Sequence, residues 1–292
     1  MKIKQSIPLS VTSLRVAIAT ALIAYAAFCD TVCADEHLFG FVRGAETLPA
    51  GHADLYQFTT LRAGKDTGIY RAWDFETEAE YGFTDKLQGS LSLLQNYFHL
   101  KDVTDLDDGN RYHFAGIEAS SKYRLKSPFK DGYGLAIRPE IGFRRYDDVG
   151  GLLEYELLAG ATLIYQRNYF DDTLVFSANV GFDFTWGKKP AEQYDHEVLL
   201  DGRAGLSYRF ASNWFAGIET TYHAEYPNFD LGTLEHLVVF TGPSLHYSAR
   251  RWWMTLTWVY QVYGQEVDAS VPHKAYAEET RNEYRLKFGF NF

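Results

Sequence analysis

Residues 71–83 read RAWDFETEAEYGF, and the order of those residues decides the fold. Trp73, Phe75, Thr77, Ala79, Tyr81 and Phe83 share one parity, while Asp74, Glu76, Glu78 and Glu80 share the other. Successive side chains of a β-strand point to opposite faces, so this stretch has one apolar face and one acidic face. A helix would mix the two sets around its circumference.

The same period of two continues on both sides. Leu87, Leu91 and Leu93 oppose Gln88, Ser90 and Ser92, and Ala115, Ile117, Ala119, Tyr123 and Leu125 oppose Glu118, Ser120, Lys122 and Arg124. Leu135, Ile137, Ile141 and Phe143 then face away from Arg138, Glu140 and Arg144, and Tyr155, Leu157 and Leu163 from Glu154, Glu156 and Thr162. Further on, Leu206, Tyr208 and Phe210 alternate with Arg203 and Arg209, Ile218 and Tyr222 with Glu219 and His223, and Leu245 and Tyr247 with Ser244 and His246. With a weaker run at Ala53–Leu61, about twelve strands are expected. No stretch after residue 34 holds the run of roughly 18 apolar residues that a membrane helix requires. Long strands that alternate apolar and polar residues between turn-forming segments predict an all-β chain, a transmembrane antiparallel up-and-down barrel.

Composition agrees. Aromatic residues make up 16% of the chain, with 21 Tyr, 21 Phe and 6 Trp, more than one soluble core uses. Tyr81, Phe83, Tyr123, Tyr133, Tyr208, Phe210, Trp214 and Trp252 fall beside predicted periplasmic turns, the tight ones at 82–86, 211–213 and 249–251 among them. There they predict an interfacial girdle on the periplasmic rim. A secreted β-sandwich also alternates, but it gives no reason for aromatics to gather at every second turn.

The N-terminus predicts export. Lys2, Lys4 and Arg15 precede an apolar run from Val16 to Phe28, and Val32-Cys33-Ala34 supplies small residues for cleavage. Residues 1–34 are therefore read as a signal peptide, 35–52 as a pre-barrel segment and 53–292 as the barrel. Both cysteines, Cys29 and Cys33, fall in the leader, so the mature chain has neither a disulfide nor a thiolate. The net charge of −10 falls further once the basic leader is removed, which argues against nucleic acid as a partner.

The chain ends RLKFGFNF, residues 285–292. Tyr284, Leu286, Phe288, Phe290 and the terminal Phe292 resemble the signal by which the barrel-assembly machinery recognises outer-membrane clients. Residues 38–49 and the hairpin at 81–87 are similar to a family of Gram-negative outer-membrane proteins of unknown function, porin-like in character. That resemblance covers nearly all of the mature chain and implies a place in the outer membrane without assigning an activity. Expected partners are outer-membrane lipids and lipopolysaccharide, with the assembly machinery and periplasmic chaperones during biogenesis.

On this parity Asp74, Glu76, Glu78, Glu80, Glu118, Arg138, Glu140, Arg144, Glu154, Glu156, Arg203, Arg209, Glu219 and Arg285 line the lumen. Charges taken out of bulk water must be paired, so these residues form either an ion-pair lattice or a constriction that selects solutes by charge. The first reading is a passive or weakly selective channel for small polar solutes. The second is a closed structural or adhesive barrel acting through its outer loops. A lipid-active hydrolase would need His246 and Ser248 as base and nucleophile, but their parity faces the lumen near the periplasmic rim. The acidic loop with Asp105, Asp107, Asp108 and Asn110, flanked by His99 and His113, lacks the spacing of a calcium loop. No cofactor motif and no catalytic constellation is assigned. Residues 35–52 are open to three placements: an added strand, a periplasmic extension, or a plug inside the lumen.

Overall fold

The computed structural model describes residues 37–190, 194–266 and 271–292. The proposed leader at 1–34, with Cys29 and Cys33, lies outside the described residues. The described chain forms twelve strands: β1 (Ala53–Ala63), β2 (Ile69–Thr84), β3 (Leu87–Lys101), β4 (Gly109–Lys126), β5 (Gly134–Tyr146), β6 (Leu153–Tyr169), β7 (Leu174–Lys188), β8 (Tyr194–Ala211), β9 (Trp214–Pro227), β10 (His236–Ser248), β11 (Trp252–Glu266) and β12 (Asn282–Asn291). Each pairs antiparallel with the next, and β12 returns to β1, so the sheet closes as a barrel. Closure leaves no open sheet edge, which a strand surface in lipid requires. The Phe292 amide donates to Ala53 O at 3.0 Å and fastens the seam.

Burial is inverted relative to a soluble protein. Glu78 and Glu219 are fully buried, whereas Val180 is 67% and Ile141 62% exposed. Apolar side chains outside and carboxylates inside are stable only when the outer surface meets hydrocarbon, and that excludes the sandwich. Tyr81, Phe83, Tyr123, Tyr208, Phe210 and Trp214 are exposed at one rim, as expected of the girdle.

That rim carries the connections 85–86, 127–133, 170–173, 212–213 and 249–251 as well as both ends of the barrel. Loop length alone does not mark the rim, since 127–133 is as long as 102–108 on the opposite end. At 228–235 on that outer end, the Gly232 amide and the Thr233 hydroxyl hold the Asp230 carboxyl below the usual carboxylate range. The alternation also breaks at a bulge in β4. A register shift between Leu94 and Gln95 leaves Ala115 without a partner between Gly116 and Phe114. The sequence reading put Ala115 on the lipid face with Ile117, but this bulge buries it to 7% exposure while Phe114 and Ile117 stay exposed.

Candidate functional site

The lumen is occupied by the chain's own N-terminal segment. From His37 to Leu48 every residue is buried except the half-buried Arg43. These residues form no strand and no extension; of the three placements, the structure shows the plug. Buried backbone groups need partners, and here side chains of the wall provide them. The amides of Gly40 and Phe41 donate to the Glu219 carboxylate at 2.7 Å and that of Val42 at 3.2 Å. The Thr257 hydroxyl donates to the same carboxylate at 2.9 Å. Asn179 accepts from the Arg43 amide at 2.7 Å and returns its own amide proton to Arg43 O at 3.0 Å, with Ser177 donating to the same oxygen at 2.7 Å. Gln166 accepts from the Ala45 amide and Gln88 from the Leu48 amide, at 2.8 and 2.7 Å.

The segment enters at the short-turn rim. Thr47 donates to Asp85 O, and Gly51 and His52 bond reciprocally with Gly82. It reaches the Glu219 level at Gly40–Val42 and then turns back, so that His37 O accepts from Thr255 at 2.7 Å. There the His37 ring stacks on Trp253 with centroids 4.6 Å apart.

Apolar pads hold its side chains. Leu38, Phe39 and Val42 pack with Val175, Phe41 with Val238, Phe240 and Val259, and Ala45 with Ala136 and Ile164. These inward apolar residues were missed by a reading that expected a polar interior. The signal was present in Val238-Val239-Phe240, where both parities are apolar. Two glycines permit the close approach: a Cβ on Gly40 would lie 2.5 Å from Thr257 Oγ1, and one on Gly205 would lie 2.6 Å from the Phe39 ring. Gly205→Val should therefore expel Phe39. We expect the barrel to fold with its heat-resistant gel mobility intact while trypsin gains access to the segment.

The sequence-predicted lumen residues divide into four groups. Glu78, Glu118, Arg138 and Glu140 form a lattice: Arg138 bonds Glu140 and lies 3.4 Å from Glu118, while Arg43 of the plug comes to 4.0 Å from Glu78. Glu80 accepts from Gln88 at 2.9 Å and from Tyr56 at 3.2 Å. Toward the outer end, Asp74 pairs with Arg62 at 2.7 Å, Arg144 with Glu156 at 3.6 Å, Glu154 with Lys189 at 3.7 Å, and Arg203 with Asp201 at 3.3 Å. Glu76 accepts from Ser92 at 2.7 Å. Glu219 and Arg285 belong to the plug seat, Arg285 donating to Gly40 O at 3.3 Å with its guanidinium 4.1 Å from the Phe41 ring centre. Arg209 lies on the rim, where it donates to Asp171 O in the turn at 170–173. Its strand parity is inward, but β8 ends within two residues and the side chain reaches the turn. Between plug and wall is a narrow polar crevice lined by Arg43, Glu80, Gln88, Ser90, Ser120, Lys122 and Arg138.

Other candidates resolve into structural contacts. Thr255 gives its single hydroxyl proton to His37 O, so His246 Nδ1 supplies the proton of its 2.7 Å bond to Thr255; His246 is part of the plug seat. His99 faces Asn110 at 2.7 Å and His113 stacks on Tyr146, so the acidic loop and its flanking histidines do not converge. Of the proposed assembly signal, Tyr284, Leu286 and Phe290 point outward on β12, with Tyr284 stacked on Trp258 and Phe288 packed near Trp252. At the outer end two clusters arise that the sequence did not disclose: His223, His236 and Glu279, and Glu197, Glu225 and Glu235.

Solved structures share this architecture. The NanC porin aligns with a TM-score of 0.52 at 12% identity, over 82% of this chain and all of that one. The COG4313 outer membrane channel from Pseudomonas putida F1 aligns at 0.57 and 10%, over 85% and 98%. The β domain of the Bordetella autotransporter BrkA aligns at 0.50 and 11%, over 83% and 100%. At such identities the likeness shows an outer-membrane type of barrel and nothing finer. No curated protein matches the sequence. A family profile spans residues 31–292, and the chain thus belongs to the family described as Family of unknown function (DUF6662).

Proposed function

We propose that this protein is an outer-membrane channel for small polar solutes held closed from the periplasmic side by residues 37–50. One observation carries the reading: the segment binds the wall through side chains alone, and all twelve strands complete their ladders without it. Its departure breaks no barrel backbone pairing, so it is the element that can leave. Porins and a channel among the structures of this shape are consistent with the proposal. Beyond the plug, Glu76, Arg144 and Glu156 supply the charged wall that would sort solutes by charge.

A second reading is a closed barrel acting through its loops. The lattice of Arg138 with Glu118 and Glu140 and the pair Arg62–Asp74 favour it, because paired charges fill space and resist passage. Planar-bilayer recording of the refolded mature protein separates the two. The native chain should stay largely silent, and Gln166→Ala/Asn179→Ala, which removes two holds on the plug, should give steady conductance steps. A folded, inserted double variant that remains silent would leave the closed barrel.

A further inference from the structure

We infer that His223, His236 and Glu279 form a binding site for a borderline divalent transition-metal ion, of which Zn²⁺ is the type, at the outer mouth of the barrel. The three residues come from β9, from the first position of β10, and from the loop between β11 and β12. Their donor atoms all lie within 4.8 Å of one another.

Four features distinguish this group from an ordinary polar contact. First, His236 Nε2 lies 3.5 Å from Glu279 Oε1, close to the ~3.3 Å edge of a tetrahedron with metal–ligand bonds of about 2.0–2.1 Å. Second, His236 is only 6% exposed, its Nδ1 has no hydrogen-bond partner among the described residues, and its Nε2 faces the Glu279 carboxylate at 3.5 Å. A buried imidazole so loosely served is costly unless a ligand completes it. Third, His223 Nδ1 is held by Asp201 at 3.2 Å, and Asp201 is in turn fixed by Arg203 at 3.3 Å. A carboxylate on one imidazole nitrogen orients the ring and leaves Nε2 for the metal, as it does around ligating histidines generally. Fourth, two imidazoles and one carboxylate suit zinc, copper or nickel, whereas calcium and magnesium take oxygen.

Three protein ligands leave a coordination position for water or a passing solute. Glu225, paired across the ladder with His236, and its neighbours Glu197 and Glu235 form a second carboxylate cluster beside the site. Binding would tie the last outer loop to β9 and β10. The site does not depend on whether the lumen conducts.

The competing arrangement is an imidazolium–carboxylate pair between His236 and Glu279 that binds no metal. Calorimetric titration of the refolded, chelator-stripped mature protein with ZnCl₂ distinguishes the two. One Zn²⁺ per chain is expected, weakened about 100-fold or more by His236→Ala or Glu279→Gln and about 10- to 100-fold by Asp201→Asn. His273→Ala, on the same loop, should leave binding unchanged. Absence of binding, or binding indifferent to His236→Ala and Glu279→Gln in folded protein, overturns the inference. X-ray absorption on the zinc-loaded native chain needs no variant: two imidazole nitrogens support the site, and a shell without imidazole sinks it.

Discussion

Glu219→Ala will release the inner segment while leaving the barrel closed. The carboxylate is fully buried and receives three backbone amides and one hydroxyl. Its removal strands those donors, and each buried donor left without a partner costs roughly 1–3 kcal/mol. The strands are untouched, because β9 keeps its ladders to β8 and β10. The penalty therefore falls on seating the plug: a net loss of about 3 kcal/mol raises the released fraction roughly 100-fold, at 1.4 kcal/mol per factor of ten. Limited trypsin digestion provides the readout, since Arg43 lies at the centre of the segment and its amide and carbonyl are held by Asn179 and Ser177. Cleavage after Arg43 should be slow in the native protein and faster by about that factor in the variant. Equal rates in two folded proteins would show that Glu219 does not latch the segment.

Arg138→Met should be the most destabilising single change to the barrel itself. The guanidinium is flanked by Glu118 and Glu140, with the fully buried Glu78 close by. Breaking a buried pair from one side costs about 3–5 kcal/mol, because the remaining charges lose their compensation. Replacing the whole group by neutral residues of similar volume is often neutral. We thus expect a clearly lowered urea midpoint for Arg138→Met and substantial recovery in Arg138→Met/Glu118→Gln/Glu140→Gln. A triple variant no more stable than the single one would mean that the arginine acts through packing alone.

The contrast between these residues shows what the sequence could disclose. The barrel was legible because period two survives in the order of residues: Glu76, Glu78 and Glu80 are inward in the structure as their parity requires. Individual roles were not, since parity gives a face without a height or a neighbour. Glu78 and Glu219 look alike in the sequence, yet one joins a salt-bridge lattice and the other binds the amides of Gly40, Phe41 and Val42. Arg209 shares the parity of Arg203 but lies where β8 ends, so its side chain reaches the turn. The plug left one trace, apolar residues such as Val175, Val238 and Ile164 at inward positions, and that trace has meaning only once something apolar is known to enter the lumen. His223, His236 and Glu279 converge through the closing of β9 to β12, which no local pattern records.

The plug joins β1 through Pro49–His52, and β1 is one of the two strands that meet at the seam with β12. Cargo and final stave are thus a single length of chain. A barrel assembling at that seam carries its occupant to the gap that must shut last, so the order of events is inscribed in connectivity: the occupant lies inside when Phe292 reaches Ala53, or it must afterwards thread a finished ring from the rim where it is tethered.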